Sequence, residues 1–234
     1  PSVGGIVRLT WFILKGVLIV EAIGMLAMLP VFCIDHGAKG IWMAVFHSIS
    51  AFCNAGFDLL GNPTPFNSLT DFNNDPLVIL VISALIILGG LGFLVWDDLT
   101  IKRFRFKKLN LHSKIVLTTS IALLIIGSSL FFILEYNNLF KGMPLRTKLL
   151  NSFFSAVTPR TAGFNTVDIA SLSESSKLLT VILMFIGGSS GSTAGGIKTT
   201  SFFIFFAFAV SSIRGKDSIT AFQKGISKEF LNKA

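Results

Sequence analysis

Two short stretches of this chain have the composition to hold a dehydrated cation. Asn54-Ala55-Gly56-Phe57 and Thr161-Ala162-Gly163-Phe164 share the run Ala-Gly-Phe, and each follows a short apolar segment. Glycine reaches backbone angles that other residues avoid, so each run reads as a turn where the chain leaves a helix. Carbonyls released from helical bonding can converge on a cation and replace its water shell. The candidate ligands are backbone carbonyls within these two four-residue runs. Covalent chemistry finds no comparable set of residues. His36, His47 and His112 are scattered, and Cys33 and Cys53 have neither metal-ligand nor disulfide-framework spacing. The chain therefore reads as no enzyme, with no covalent cofactor.

The elements that must carry these turns are membrane helices. Hydrophobic residues make up 52% of the chain and charged residues only 14%, too apolar for an ordinary soluble domain. About 20 apolar residues cross the roughly 30 Å hydrocarbon core as a helix. Leu9 to Phe32, Leu77 to Trp96 and Ile115 to Leu134 meet that length, and the broken run Leu178 to Ile213 is a fourth. The net charge of +8 raises the question of nucleic acid, but its distribution answers otherwise. Ile101 to Lys114 and Arg214 to Lys233 hold the dense basic clusters, and both read as cytoplasmic under the positive-inside rule. Asp35, Asp58, Asp71 and Asp75 place the first intervening segment outside.

The outer segments repeat each other. Ile41 to Asn62 and Leu149 to Ala170 each begin with an apolar stretch half the length of a span. Each passes through Ser-Ala and reaches Ala-Gly-Phe. A half-length apolar helix ending in a glycine turn is the sequence form of a re-entrant loop, tolerated at membrane depth only where it lines a watery cavity. The repeat is span, half-span, turn, span, over roughly 100 residues. The expected fold is an all-α membrane protein of two such channel-like repeats. Residues 1–100 form one and 101–213 the other, and 214–234 form a basic cytoplasmic segment. With no initiating Met, the chain reads as an internal piece of a longer protein.

The last span is broken by Gly187, Gly188, Ser189, Ser190, Gly191, Ser192, Thr193, Ala194, Gly195 and Gly196. A phosphate-binding loop is excluded, because Ile197 separates Gly196 from Lys198-Thr199 and no hydrophobic strand precedes it. A helix-packing face needs small residues at every fourth position, not a continuous run of them. So much glycine costs a helix about 1 kcal/mol per residue. An unwound loop beneath the turns, lining a water-filled path, accounts for the composition. Arg160, directly before Thr161, is expected to turn away from the path and brace the strand through backbone carbonyls or a carboxylate. Lys198 is expected to end the loop, pairing with an acidic residue or with helix-end carbonyls. His47 reads as a packed, hydrogen-bonded histidine. Asp58 reads equally as a cation-concentrating mouth residue and as a solvated loop carboxylate.

Ser50 to Leu59, Gly89 to Leu99, Ser155 to Ile169 and Gly187 to Thr200 together resemble the Trk/Ktr/HKT superfamily of potassium transporters, most of all the membrane subunits of the Ktr branch. The resemblance covers essentially the whole chain. It implies repeats two and three of a four-repeat pore around one potassium path, with the Gly187–Gly196 loop as its gate and the backbone carbonyls of Asn54, Ala55, Gly56, Thr161, Ala162 and Gly163 as filter ligands, the Asn54 and Thr161 side chains adding oxygen donors. It also implies potassium as substrate, sodium dependence, and a bacterial cell membrane location. The partners implied are lipid, a second copy in a homodimer, and a cytoplasmic ring of regulatory nucleotide-binding subunits. Two other readings stay open from the residues alone. One is a secondary transporter of an organic solute, which also uses broken helices. The other is a non-conducting membrane scaffold.

Overall fold

The structure is a computed structural model and describes residues 3–61, 67–213, 219–221 and 224–226. Eight α-helices follow in order among the described residues: α1 (Val3–His36), α2 (Lys39–Phe52), α3 (Pro76–Leu91), α4 (Phe93–Ile101), α5 (Leu111–Glu135), α6 (Leu145–Val157), α7 (Glu174–Phe185) and α8 (Thr199–Ile213). The segment 214–234 lies mostly outside the described residues. Within it a short antiparallel ribbon pairs β1 (Ile219–Ala221) with β2 (Lys224–Ile226).

The helices begin and end where local chemistry dictates. The Asp75 carboxylate caps α3, accepting from the Leu77 and Val78 amides at 2.8 and 3.2 Å, and Pro76 occupies the first turn where no amide partner is needed. The Ser173 hydroxyl caps α7 by accepting from the Ser176 amide. Two helices, α1 and α5, are long and apolar enough to cross a membrane, and α3 with α4 makes a third span if the bent pair is taken as one. Their outward positions carry bare Ile, Leu and Trp, among them Trp11, Leu18, Ile23, Ile125 and Ile133. Such an exterior suits lipid or further protein, since water would leave that apolar surface unburied.

The half-length helices α2 and α6 sit inside this shell. One cluster of buried side chains joins Met28 and Phe32 of α1, Phe52 of α2, and Ile79 and Ile82 of α3 with Phe154 of α6 and Phe164 beyond it. The two repeats therefore share a core. Backbone contacts reinforce it at the outer end, where the Leu69 amide donates to the Asn165 carbonyl at 2.8 Å and the Asn165 amide donates to Ser68 Oγ at 3.1 Å.

The structure adds a break that hydropathy does not show. The uncharged run Leu77–Trp96 turns by 92° at Gly92, whose φ is +90°. Apolar residues continue on both sides, so the turn leaves no trace in the run's hydropathy. Beyond it, Asp98 of α4 accepts from the Asn110 amide and side chain at 2.8 and 2.9 Å and pairs with Lys102 at 2.9 Å. These bonds close the basic connection to α5.

Glu135, fully buried at the end of α5, accepts from the Ser173 amide at 3.0 Å, from Ser173 Oγ at 2.6 Å and from Asn138 Nδ2 at 2.7 Å. This carboxylate fixes the start of α7 to the end of α5. Glu135→Ala should lower stability by about 2–3 kcal/mol, the cost of leaving buried donors unpaired. Glu135→Gln should recover part of it. Thermal melting of the purified full-length protein in detergent checks both, and an unchanged midpoint in the alanine variant would contradict the role.

Candidate functional site

The helix α2 ends at Phe52 and α6 at Val157, and at both ends the backbone makes the same turn. Asn54 and Gly56 have φ of +52° and +73°, while Ala55 between them does not have positive φ. Thr161 and Gly163 have φ of +73° and +93°, again with Ala162 on the other side. Asn tolerates the left-handed region better than most residues, and Thr does not, so Thr161 is held there by its surroundings. Alternating signs of φ stop successive carbonyls from pointing to opposite sides as they do in a strand.

Several amides of each turn are used locally. The Ala55 amide donates to the Ser50 carbonyl at 2.9 Å, and the Ala162 amide donates to the Thr158 carbonyl at 3.0 Å. A hydroxyl from the end of the short helix then closes each turn. Ser50 Oγ donates to the Phe57 carbonyl at 2.7 Å, and Thr158 Oγ1 donates to the Phe164 carbonyl at 2.6 Å. Among the described residues, no donor reaches the carbonyls of Asn54, Ala55, Gly56, Thr161, Ala162 or Gly163. Six acceptors without donors beside two converging turns are an arrangement that a cation satisfies.

The two turns touch at their glycines. A Cβ on Gly56 would lie 2.1 Å from the Ala162 carbonyl oxygen and 2.9 Å from Gly163 Cα. No side chain fits there, and the contact sets the distance between the strands.

The loop between α7 and α8 lies against the first residue of both turns. Asn54 Nδ2 donates to Thr193 Oγ1 at 2.8 Å, and the Gly195 amide donates to Thr161 Oγ1 at 3.1 Å. The loop is closed on itself. The Gly187 amide donates to the Ile197 carbonyl at 3.1 Å and the Gly188 amide to the Gly195 carbonyl at 3.1 Å. It is also docked on the kink of the other repeat. The Ser189 amide donates to the Gly90 carbonyl at 2.9 Å, the Thr193 amide to the Gly89 carbonyl at 3.2 Å, and the Phe93 amide to the Gly191 carbonyl at 2.9 Å. An unbroken α3 would have used the Gly89 carbonyl for the Phe93 amide. The bend at Gly92 frees both partners, and the loop takes them.

Arg160 is buried and turned away from the turn that follows it. Its Nη2 donates to the Gly187 carbonyl at 3.4 Å and to Ser120 Oγ at 3.3 Å, so it reaches the first residue of the loop. A carboxylate partner, one of the two expected alternatives, is not what it finds. Lys198 likewise finds a carbonyl instead of an acid. Its Nζ reaches back to the Ala194 carbonyl at 2.9 Å, inside the loop. His47 is fully buried, with Nδ1 donating to the Met43 carbonyl at 2.7 Å and Nε2 accepting from the Leu59 amide at 3.4 Å. Bonded at both nitrogens, it is a structural histidine packed on Phe32. Asp58 accepts from the Leu60 amide at 3.0 Å within its own turn. Farther out, Ser171 Oγ and the amides of Ala170 and Ser171 hold the exposed Asp168 carboxyl below the usual carboxylate range.

Sequence reasoning missed the seat of the loop. Gly89 and Gly90 lie inside the run Leu77–Trp96, but their carbonyls serve a segment about a hundred residues away. A third glycine at Gly92 was the available signal, since one glycine more than close packing needs points to a bend.

Paired span, half-helix and carbonyl-lined turn, with an unwound loop behind them, define a pore-loop membrane protein. The particular family follows from comparison with known proteins. The cation transport protein family TrkH matches residues 1–234, and the chain belongs to that family. The chain is 44% identical to the potassium/sodium uptake protein NtpJ of Enterococcus hirae, over 100% of this chain and 51% of that protein. It is 38% identical to the Ktr system potassium uptake protein B of Bacillus subtilis, over 100% of this chain and 52% of that protein. It therefore spans about half the length of the curated relatives it matches. Among solved structures, the potassium transporter TrkH from Vibrio parahaemolyticus superposes with a TM-score of 0.78 at 17% identity, over 99% of this chain and 47% of that one. At that identity the likeness is one of fold.

Proposed function

We propose that this chain forms half of a potassium-uptake path across a bacterial cell membrane. The observation that carries the reading is the set of six carbonyls without donors, of Asn54, Ala55, Gly56, Thr161, Ala162 and Gly163, behind which one loop bonds to both turns. Potassium sheds water and is held in turn by these oxygens, with matching turns from two further repeats completing the ring. Transport is conduction with no covalent step. The loop from Gly187 to Gly196 occludes the path and moves aside to admit the ion. Relatives named for potassium and for potassium/sodium uptake support this substrate class and a role for sodium. Membership of a named Ktr system in one relative supports a regulatory partner. The basic segment Lys102–Lys114 is on the side that would meet a cytoplasmic nucleotide-binding ring, and a second copy of the membrane subunit completes the assembly.

The organic-solute reading would place charged or aromatic side chains at the break, and glycine, serine and threonine stand there instead. The scaffold reading gives no use for two matched turns. The test is growth and potassium uptake in cells stripped of their own uptake systems and supplied with the full-length protein. Restored uptake that saturates with potassium is the expected result. Expression in the membrane without uptake would contradict it.

A further inference from the structure

Thr193 belongs to the loop, yet its hydroxyl decides how a residue of the turn is oriented. Thr193 Oγ1 donates to the Phe52 carbonyl at 3.0 Å, and that carbonyl ends α2. With its one proton committed, Oγ1 can only accept from its other neighbour. That neighbour is Asn54 Nδ2, at 2.8 Å. The chain of bonds runs one way, from amide to hydroxyl to helix-end carbonyl, with a longer direct bond from Asn54 Nδ2 to the Phe52 carbonyl at 3.4 Å beside it, and fixes which end of the Asn54 amide faces the loop. Its other end, Oδ1, is left buried with no donor among the described residues. Asn54 as a whole is 9% exposed, so the oxygen is not simply in water.

The fold reserves space for this chain of bonds. A Cβ at Gly89 would lie 2.0 Å from the Phe52 carbonyl oxygen, 2.8 Å from Thr193 Oγ1 and 3.0 Å from Asn54 Nδ2. The three groups meet in the gap that the missing side chain leaves. Asn54 is also the non-glycine residue in the first turn with positive φ, so its backbone depends on outside support.

We propose that Thr193 is a positioning residue for cation specificity. It holds the Asn54 amide so that Oδ1 and the adjacent Asn54 carbonyl present oxygen to a monovalent cation on the path. Occlusion and selectivity are then two effects of one bond. The cation is selected while the loop is seated, before the loop moves aside to let the bound ion pass. This rests on the transport reading above and extends it to a residue outside the turn itself.

The test compares Thr193→Val, which keeps the shape and removes the hydroxyl, with Thr193→Ser, which keeps the hydroxyl. Potassium and sodium flux are measured separately on the full-length protein in liposomes. Thr193→Val should lower the potassium-to-sodium flux ratio about fivefold, the effect of one net hydrogen bond. Thr193→Ser should stay close to the unmodified ratio. If Thr193→Val raises both fluxes by the same factor, the hydroxyl acts on occlusion alone and the proposal is overturned. A matching loss of selectivity in Thr193→Ser would overturn it too, because packing and not the hydroxyl would be responsible. Absence of flux in the unmodified protein would overturn the transport reading and this inference with it. Should Thr193→Val conduct nothing, thermal stabilisation by potassium relative to sodium reads the same preference. Its survival in the variant would count against the proposal.

Discussion

Gly56→Ala is expected to abolish potassium uptake by the full-length protein. The added methyl would sit 2.1 Å from the Ala162 carbonyl oxygen and 2.9 Å from Gly163 Cα. Both are backbone atoms, and neither can swing away as the tip of a side chain could. The backbone at Gly56 has φ of +73°, which costs an L-residue roughly 1–2 kcal/mol before any clash is counted. Relief requires the two strands to part, and the Ala162 carbonyl that must move is one of the proposed ligands. The loss should exceed about tenfold, since more than 1.4 kcal/mol is at stake. Gly163→Ala is the informative companion. Its φ is +93°, but the nearest atom to a new Cβ is Gly56 Cα at 3.3 Å. It should be made and inserted more readily than Gly56→Ala and fail mainly in selectivity. Potassium and sodium uptake per unit of membrane-inserted protein measures both. Uptake at the unmodified rate and ratio in Gly56→Ala would remove that turn from the path.

Excising the loop should raise flux. Gly196 packs directly on Gly187, with a Cβ at Gly196 only 2.8 Å from Gly187 Cα. Consecutive Cα atoms are about 3.8 Å apart. The two segments run parallel there, so residues 188–195 are replaced by a short glycine linker that turns the chain back from Gly187 to Gly196. The deletion eliminates the bonds from Ser189 and Thr193 to the Gly90 and Gly89 carbonyls, and from Phe93 to Gly191. It also eliminates the contacts to Asn54 and Thr161. If the loop occludes the path, flux should rise on the order of tenfold, the change that 1.4 kcal/mol of lost closure represents. Cation flux through proteoliposomes is the measurement. An unchanged rate in a deletion that still folds would show that the loop blocks nothing.

Much of this arrangement can be read from sequence because it repeats. Ser-Ala followed by Ala-Gly-Phe occurs twice, each time after a half-length apolar stretch. The two turns indeed share the same alternation of φ. The unwound segment is legible because glycine and serine displace the residues a helix needs. What escapes is the pairing between distant backbones. Nothing in Gly89-Gly90 says that their carbonyls serve residues 189 and 193, since main-chain groups carry no side-chain signature. The bend at Gly92 is hidden for a related reason. Leu91 and Phe93 are equally apolar, and a hydropathy profile records burial and not direction. Arg160 and Lys198 show the same limit. Each has a charge that invites a search for an acid, and each is held by a loop carbonyl instead.

The docking of the loop on the kink also bears on the order of assembly. The helices α7 and α8 have 12 and 15 residues, about 18 and 22 Å of helix, and neither spans the hydrocarbon alone. The backbone between them would be left unsatisfied in lipid. Its partners at Gly89, Gly90 and Phe93 are synthesised about a hundred residues earlier. The loop's backbone is satisfied only once the bent first repeat is in place beside it.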